Sequence, residues 1–408
     1  MESPPQTPDK KPKPLAGVKV LEMGQLLAGP FATLLLAWFG AEVIKIEPPG
    51  TGDPLRTWRT LHKGTSLWWY SLARNKKCIT LDLRQKRGQD IARQLAKRVD
   101  VIVENFKPGT LEKWGLGSED IKAINPCAIM ARISGWGQTG PYAHKPGFAA
   151  VGEGVGGLRY VTGDRDRPPV RPNLSLGDSL TGLHAAFGIL TALYYRDAKG
   201  AGTGQVVDVA IYESVLNMME STIPEFDKAG VIREREGTRL SGVVPTGTYP
   251  CQNGVHVIIG ANTDNLFKRF MTAIGRPDMA SDPRFEHNDD RVPWADEIDQ
   301  AISQWTQRLP STQVIKTLES VAVPVGPIYS AKDMMADEHF QSRGLFQEAD
   351  LGGGDKVTLP AISPRLTETP GGMNWPGPKL GEHNREIYAG LLSYSDQEIA
   401  ALTAAGII

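Results

Sequence analysis

Short apolar runs alternate with segments of helical periodicity over the first part of the chain. The predicted strands are residues 18–23, 42–47, 78–83, 100–104 and 127–133, and the predicted helices between them are 31–39, 89–97 and 110–114. Regular alternation of strands and helices is typical of a parallel sheet covered by helices on both faces. The pattern therefore predicts an α/β fold with a Rossmann-like large domain.

A longer apolar stripe follows the segment that begins at Arg171. It predicts a helix, in which the apolar residues are Leu180, Leu183, Phe187, Leu190 and Tyr194. Asp178 stands just before this stripe, at the position of an N-cap. A cap oxygen accepts hydrogen bonds from the first helical N–H groups, and the positive helix end also keeps a carboxylate ionised, as a nucleophile requires. From the pattern alone, Asp178 can be a helix cap or a nucleophile.

The domain organisation follows from where periodicity stops and resumes. Residues 1–14 are rich in Pro and charge and predict a disordered tail, and 15–222 form the large domain. The charged stretch 223–246 has no period and predicts a linker. A strand at 255–259 and helices at 264–274 and 295–308 predict a small α+β domain over 247–320. The proline-rich remainder, 321–408, is predicted to return and complete the large domain.

Composition narrows the function classes. The chain has 408 residues, 40% of them hydrophobic and 22% charged, with a net charge of −1, which argues against a general nucleic-acid or membrane-surface binder. The three cysteines, Cys78, Cys127 and Cys251, are far apart, and we expect a reducing compartment such as the cytoplasm. The seven histidines lack metal-ligand spacing, so no metal site is expected.

Basic residues are concentrated between residues 74 and 113, where eleven Lys and Arg face five Asp and Glu. Two basic loops, Arg74-Asn-Lys-Lys and Asn105-Phe-Lys-Pro-Gly, lie at predicted strand ends, where open α/β sheets bind ligands. A ligand with several phosphates is expected there. The first turn has no GxGxxG, which argues against a nicotinamide cofactor.

Several motifs, in order along the chain, resemble the class III CoA-transferases, the formyl-CoA transferase and carnitine CoA-transferase superfamily. They are LAGPFAT, GAEVIKIEPPGTGDPLR, DVIVENFKPGTLEKWGL, ISGWGQTGP, LGDSLTG and GTGQVVDVAIYES. The resemblance covers nearly the whole chain from Leu15 onward. It implies a CoA-binding large domain, an interlocked ring-like homodimer, an acyl-CoA and a small carboxylic acid as partners, and no cofactor beyond coenzyme A as co-substrate.

The resemblance also assigns site residues. It makes Asp178 the nucleophile. It places coenzyme A contacts at Asn75, Lys76, Asn105, Phe106 and Lys113, with Arg74 in the adjoining basic loop. Gly260 and Asn262 belong to a segment that matches a glycine loop closing over the active site in formyl-CoA transferases. Arg171 is a candidate for holding a distal substrate carboxylate through a bidentate contact.

The subfamily follows from further motifs. Segments such as Val323-Pro-Val-Gly-Pro and Pro364-Arg-Leu-Thr-Glu-Thr-Pro-Gly look most like succinyl-CoA:dicarboxylate transferases acting on malate, citramalate, glutarate or itaconate. The alternatives are an α-methylacyl-CoA racemase, a formyl-CoA:oxalate transferase and a catalytically silent CoA-binding partner. Racemases pair the aspartate with a histidine, whose place Phe148 takes here. Oxalate-handling relatives have a glutamine at the position of Leu27, which argues against a formyl-CoA:oxalate enzyme and makes Leu27 a candidate substrate residue.

Overall fold

The computed structural model describes residues 12–408, which form two compact units. The first unit holds the described residues up to Leu158, together with Pro172–Glu220 and His339–Ile408. The second unit holds Arg159–Arg171 and Ser221–Glu338. Residues 1–11, most of the predicted tail, lie outside the described residues. Just after them, the Lys13 ammonium donates a hydrogen bond to the Gly372 carbonyl oxygen at 3.1 Å.

The strands are numbered in chain order. They are β1 (Lys19–Glu22), β2 (Glu42–Glu47), β3 (Leu61–His62), β4 (Thr65–Ser66), β5 (Lys76–Thr80), β6 (Val101–Glu104), β7 (Ile129–Ser134), β8 (Val206–Ala210), β9 (Thr246–Pro250), β10 (His256–Gly260), β11 (Val325–Pro327), β12 (Phe346–Gly352) and β13 (Asp355–Pro360).

The helices are numbered in the same way. They are α1 (Ala28–Trp38), α2 (Leu67–Leu72), α3 (Lys86–Ala96), α4 (Thr110–Lys113), α5 (Ser118–Ile124), α6 (Ala149–Val155), α7 (Leu176–Asp197), α8 (Ile211–Leu216), α9 (Thr222–Ala229), α10 (Asp264–Ala273), α11 (Pro277–Ser281), α12 (Asn288–Arg291), α13 (Ala295–Thr306), α14 (Ser311–Ser320), α15 (Ala331–Ala336), α16 (Glu338–Ser342) and α17 (Asp396–Ala404).

Six parallel strands form the central sheet of the first unit, in the order β5-β2-β1-β6-β7-β8. Counted along the chain, this is third, second, first, fourth, fifth and sixth, the order of Rossmann sheets. The direction of the connections reverses between β1 and β6. In such sheets ligands bind outside the carboxyl ends of the strands at this switch point. The predicted parallel α/β sheet is confirmed.

Alternate side chains of each strand enter two different cores, as the period of two along a strand requires. On β1, Val20 packs with α1 and α7 on one face of the sheet. Its neighbour Leu21 packs on the other face with Leu95 of α3 and Leu402 of α17. Both faces are apolar because both are covered by helices, which is why the strands are continuous hydrophobic runs.

The second unit has a three-stranded antiparallel sheet in the order β11-β10-β9. Val257 and Ile259 of β10 are buried and pack with Phe267 and Phe270 of α10. Because β11 pairs with β10, this unit extends to Glu338, past the predicted domain end at residue 320.

Two further segments are assigned differently from the sequence analysis. Residues 223–246, predicted as a linker, belong to the second unit and include most of α9. Residues 159–171 also belong to it, although the prediction put them in the large domain. The Gly237 N–H donates to the Gly163 carbonyl at 2.9 Å, and the Tyr160 hydroxyl donates to Glu234 at 2.6 Å. Such pairing of distant segments leaves no local signal in the sequence.

Candidate active site

A buried group of charges holds the loop that joins β1 to α1. The Lys45 ammonium donates to the Glu22 carboxylate at 2.7 Å and to the Gly24 carbonyl at 2.9 Å, and it pairs with Asp53 at 2.8 Å. The Asp53 carboxylate accepts from the Leu26 N–H at 3.1 Å. Leu26 has a φ of 63°, a left-handed conformation that costs an L-residue about 1–2 kcal/mol. The charges therefore impose a specific backbone path on this loop.

Glu22 and Lys45 are ionised at neutral pH. Burial alone would raise the pKa of Glu22, but Lys45 and Lys76 lower this pKa to about 2. Burial alone would lower the pKa of Lys45, but Asp53, Glu22 and Glu47 raise it above its ordinary value. Each buried charge thus has a partner of opposite sign, as burial of charges requires.

Asp178 is the third residue of α7 and is half-buried. The prediction that it is the N-cap is wrong, because α7 begins earlier, after Ser175. The fully buried Glu153 of α6 accepts a hydrogen bond from the Gly177 N–H at 3.2 Å, so another helix supplies the capping carboxylate. Asp178 remains in the first turn, where the helix dipole favours a negative charge.

The contact between α7 and α1 fixes where the first turn of α7 lies. A Cβ on Gly182 would stand 2.7 Å from the Ala28 carbonyl oxygen and 2.9 Å from the Phe31 ring, so only glycine fits there. Residues four apart share a helix face, and Asp178 is therefore on the same side of α7 as Gly182. At this contact the first turn of α1 meets α7 one helical turn after Asp178.

Two cavities adjoin the start of α7 and share Trp68 and Ser179. The first, here the Arg59 cavity, has a volume of about 460 Å³ and is lined by Arg59, Thr60, Leu67, Trp68, Leu174, Ser175, Leu176 and Ser179. The second, the α1–α7 cavity, has about 450 Å³, and its apolar walls come mainly from α1, α2 and α7. Leu27, a predicted substrate residue, is buried and lines the α1–α7 cavity. Asp178 lies between Leu176 and Ser179, two lining residues of the Arg59 cavity.

A third cavity of about 740 Å³ lies at the carboxyl ends of the sheet strands. This sheet-edge cavity is lined by the residues that follow β1, β2, β5 and β6, among them Gln25, Gly52, Arg84, Phe106 and Trp114. It stands at the switch point between β1 and β6, where a Rossmann sheet binds its ligand. Its volume is within the range of ligand pockets.

A buried arginine holds the wall of the sheet-edge cavity. Arg132 of β7 donates to Glu104 at 2.8 Å and to Glu112 of α4 at 2.6 Å. Glu104 in turn accepts from the Phe106 N–H at 2.8 Å, and burial raises the pKa of this carboxyl. The Phe106 ring meets Trp114 edge to face, with 5.3 Å between the ring centroids. The aromatic wall is therefore held in place by its own contacts.

The predicted coenzyme A residues divide into two groups. Phe106 lines the sheet-edge cavity, and Lys113 is exposed at the end of α4, next to the lining residue Trp114. The amide of Asn105 accepts from the Gln25 N–H and donates to the Gln25 carbonyl, both at 2.8 Å. Asn105 thus fixes the loop beside the cavity.

The basic loop that begins at Arg74, predicted to contact a ligand with several phosphates, is buried. Arg74, Asn75 and Lys76 are 2%, 4% and 0% exposed. Arg74 borders the α1–α7 cavity but donates to the Pro360 carbonyl at 2.6 Å. Asn75 donates to Gly372 at 2.8 Å, and Lys76 pairs with Glu22 at 2.8 Å. These residues join the returning segment and the charge network to the sheet, and their contact with coenzyme A stays a prediction.

The remaining predicted residues lie in the second unit. Arg171 is exposed, Gly260 ends β10, and Asn262 follows it. The buried Arg291 guanidinium donates to the carbonyl oxygens of Asn262 and Val244, the latter at 3.0 Å. The segment that matches the glycine loop is therefore fixed within its unit by a buried arginine.

Sequence reasoning missed four residues that line cavities: Arg84, Trp114, Arg59 and Trp68. Arg84 follows β5, so the rule that strand-end loops bind ligands could have identified it. Arg59 has a φ of 57°, and the sequence gives no sign that an arginine adopts this left-handed conformation. Within residues 12–408, no group of three or more His, Cys, Asp and Glu residues could hold a metal ion.

The sequence and fold were compared with those of known proteins. The model of CoA-transferase family III matches residues 15–384. A succinyl-CoA–D-citramalate CoA-transferase of Chloroflexus aurantiacus is 49% identical over 403 residues, which cover 98% of this chain and 99% of that protein. The alpha subunit of succinyl-CoA–L-malate CoA-transferase of the same organism is 40% identical over 398 residues, covering 97% of this chain and 92% of that subunit.

Solved structures agree with this comparison. The crystal structure of a CAIB/BAIF family protein from Brucella suis superposes with a TM-score of 0.82 at 32% sequence identity. The match covers 93% of this chain and 100% of that one. The likeness therefore extends over both units of the chain.

Proposed function

The chain belongs to CoA-transferase family III, and we propose that it moves coenzyme A from succinyl-CoA to a small dicarboxylic acid. The observation that carries the proposal is the half-buried Asp178 in the first turn of α7, flanked by residues that line the Arg59 cavity. The similar proteins named for citramalate and malate support a dicarboxylate acceptor. The three cysteines are free, and we place the enzyme in the cytoplasm.

In the proposed mechanism Asp178 forms covalent intermediates with both acyl groups. Its carboxylate oxygen attacks the thioester carbon of succinyl-CoA, the carbon–sulfur bond breaks, and an aspartyl-succinyl anhydride and a CoA thiolate form. The thiolate attacks the aspartyl carbonyl and releases succinate. The acceptor carboxylate then attacks the resulting aspartyl-CoA thioester and expels the thiolate. The thiolate finally attacks the acyl carbon of the second anhydride and restores the Asp178 carboxylate.

The overall reaction exchanges one thioester for another of similar energy, and every step is an acyl substitution without redox change. The protein must place the nucleophile and keep water from the anhydrides. We propose that the sheet-edge cavity takes the nucleotide end of coenzyme A, with Phe106 and Trp114 as its aromatic wall and Arg84 and Lys113 near its phosphates. We propose that Leu27 contacts the substrate, because it lines the α1–α7 cavity.

A racemase is the main alternative, and one observation disfavours it. Phe148 is the residue just before α6, and the next residue, Ala149, has its carbonyl oxygen 3.4 Å from where a Cβ on Gly177 would lie. The segment of Phe148 is thus beside the first turn of α7, where a racemase would need an acid–base partner for Asp178. A phenyl ring exchanges no proton, so the two-base mechanism lacks its second base there.

Incubation of the purified chain with succinyl-CoA and single acceptors tests this function. We expect D-citramalate, L-malate, glutarate or itaconate to yield a new acyl-CoA and free succinate in equal amounts, measured by mass spectrometry. Acetate is the monocarboxylate control, and a methylacyl-CoA incubated in D2O reports racemase activity. Hydrolysis of succinyl-CoA without any new acyl-CoA, or deuterium uptake at the α-carbon, would count against the transferase.

We also propose that the chain works as a homodimer of the interlocked kind. The outer face of α7 carries exposed apolar side chains at helical spacing, which are Leu183, Phe187, Leu190 and Tyr194. By length and composition α7 could also cross a membrane. Of the apolar 18-residue window of α7, 44% is buried within the fold. Its inner face packs on α1 and the sheet, as a core helix does. Exposed apolar side chains that adjoin one another on a protein surface usually mark an interface.

Light scattering on the purified chain checks the dimer. We expect the mass of two chains, and Phe187→Glu should shift the mass toward one chain because it places a charge at the centre of the apolar face. A wild-type protein with the mass of a single chain at all concentrations would refute the homodimer. Binding of the wild type to neutral lipid vesicles would indicate that lipid covers this face.

A further inference from the structure

The Arg59 cavity contains one cationic group beside the start of α7. The Arg59 guanidinium stacks on the Trp68 ring, with 4.3 Å from its central carbon to the ring centroid. Among the described residues that line the cavity, none is acidic. Within residues 12–408 Arg59 also makes no ion pair with a carboxylate. An arginine that stacks on an aromatic ring keeps its N–H edge available for an anion.

The backbone at Arg59 supports a role for its side chain. Its φ of 57° is left-handed, a conformation that glycine adopts at no cost and that is strained for arginine. The strained residue leads into the β3–β4 hairpin, where the Thr60 carbonyl accepts from the Leu67 N–H at 3.0 Å. Ser66 then caps α2 by accepting from the Trp68 N–H at 3.1 Å. Arg59 and Trp68 are thus fixed to each other through one short hairpin.

We infer that Arg59 binds the distal carboxylate of the dicarboxylate substrates, an assignment that rests on the proposed function. In the proposed mechanism one carboxyl group of each acid reacts at Asp178. The other carboxyl group is an anion that must lie a few bonds away. Ser175, which precedes α7, and Ser179, in its first turn, line the cavity together with Arg59.

The chemistry of the cavity fits a carboxylate. A guanidinium presents two parallel N–H donors, which match the two oxygens of a carboxylate. The aromatic surface of Trp68 and the side chains of Leu67, Leu174 and Leu176 suit the short methylene chain that separates the two carboxyl groups. We thus assign to Arg59 the role for which Arg171 was a candidate. Arg59 would bind the distal carboxylate of the succinyl group first and that of the acceptor acid afterwards.

The test compares Arg59→Gly with Lys63→Gly. Both changes remove one positive charge from the same hairpin, and both replace a residue of positive φ, 57° and 48°, by glycine. Glycine relieves strain at either position, so loss of folding is not expected. Lys63 pairs only at the surface, with Asp355 at 2.9 Å. The measurement is the affinity for succinate and for its dimethyl ester, which has no carboxylate, read by ligand-observed NMR and by inhibition of transfer.

We expect the wild type and Lys63→Gly to bind succinate about ten-fold to a hundred-fold more tightly than the dimethyl ester. Arg59→Gly should reduce this ratio to about one, and Arg59→Lys should restore part of it. An Arg59→Gly protein that keeps the preference would overturn the inference, as would a wild type that has none. CoA transfer by the wild type is assayed separately: preference without transfer would refute only the proposed function.

Discussion

Asp178→Asn is expected to lower the rate of CoA transfer by at least about a thousand-fold. An amide is too weak a nucleophile to attack the thioester, so neither anhydride can form. Asparagine has the size of aspartate, and Glu153 continues to accept from the Gly177 N–H, so α7 should keep its first turn. Loss of a negative charge there costs about 0.3–1 kcal/mol of stability. The measurements are acyl-CoA exchange by mass spectrometry and thermal unfolding.

Asp197→Asn provides the matched control. Asp197 is the last residue of the same helix and pairs with Arg196 at the surface. The same chemical change there should leave transfer within about two-fold of wild type, since surface ion pairs contribute little. Trapping gives a second readout: hydroxylamine added during turnover should label the peptide that contains Asp178. Full activity in Asp178→Asn would remove the central residue from the mechanism.

Glu22→Gln is expected to destabilise the protein by about 3–5 kcal/mol. The carboxylate accepts from the ammonium groups of Lys45 and Lys76 with less than 1% of its side chain exposed. In the variant Lys45 keeps Asp53, but Lys76 loses its only carboxylate partner within the described residues. A buried ammonium without a counter-charge is costly. The free energy of unfolding is obtained from urea denaturation.

The pH dependence provides a second check on Glu22. Its pKa of about 2 in the folded state is below the ordinary value of 4.5, so the ionised carboxylate stabilises the fold above pH 4.5. This contribution is lost as the pH falls from 4.5 toward 2. Glu22→Gln lacks the titrating group and should lose less stability over that pH range than the wild type.

Two variants separate the buried pair from general effects of charge removal. Glu42→Gln breaks the surface pair with Lys77, 3.4 Å long, and should cost less than about 1 kcal/mol. Glu22→Gln combined with Lys76→Met removes both partners and should recover part of the stability. If Glu22→Gln and Glu42→Gln both lowered the free energy of unfolding by less than about 1 kcal/mol, the buried charge network would not be a main determinant of stability.

The sequence determined the elements that depend on local periodicity. Apolar runs located the strands of the parallel sheet, since a strand buried on both faces must be hydrophobic throughout. The stripe from Leu180 to Tyr194 located α7, and the order of the motifs identified the family. Phe106 was placed correctly at the sheet edge because it follows a strand, and the carboxyl ends of parallel strands meet at one edge.

The tertiary structure alone decided which polar groups are free to meet a ligand. Arg74, Asn75 and Lys76 look like a basic surface loop in the sequence, but partners as distant as Pro360 and Gly372 bury them. Glu153 takes the capping role predicted for Asp178, and Arg59 is brought beside the start of α7 by a hairpin with a left-handed residue. Hydrogen bonds between residues far apart in sequence and positive φ at a non-glycine residue leave no periodic signal. Sequence therefore predicted Asp178 as the nucleophile, and only the folded chain showed which groups surround it.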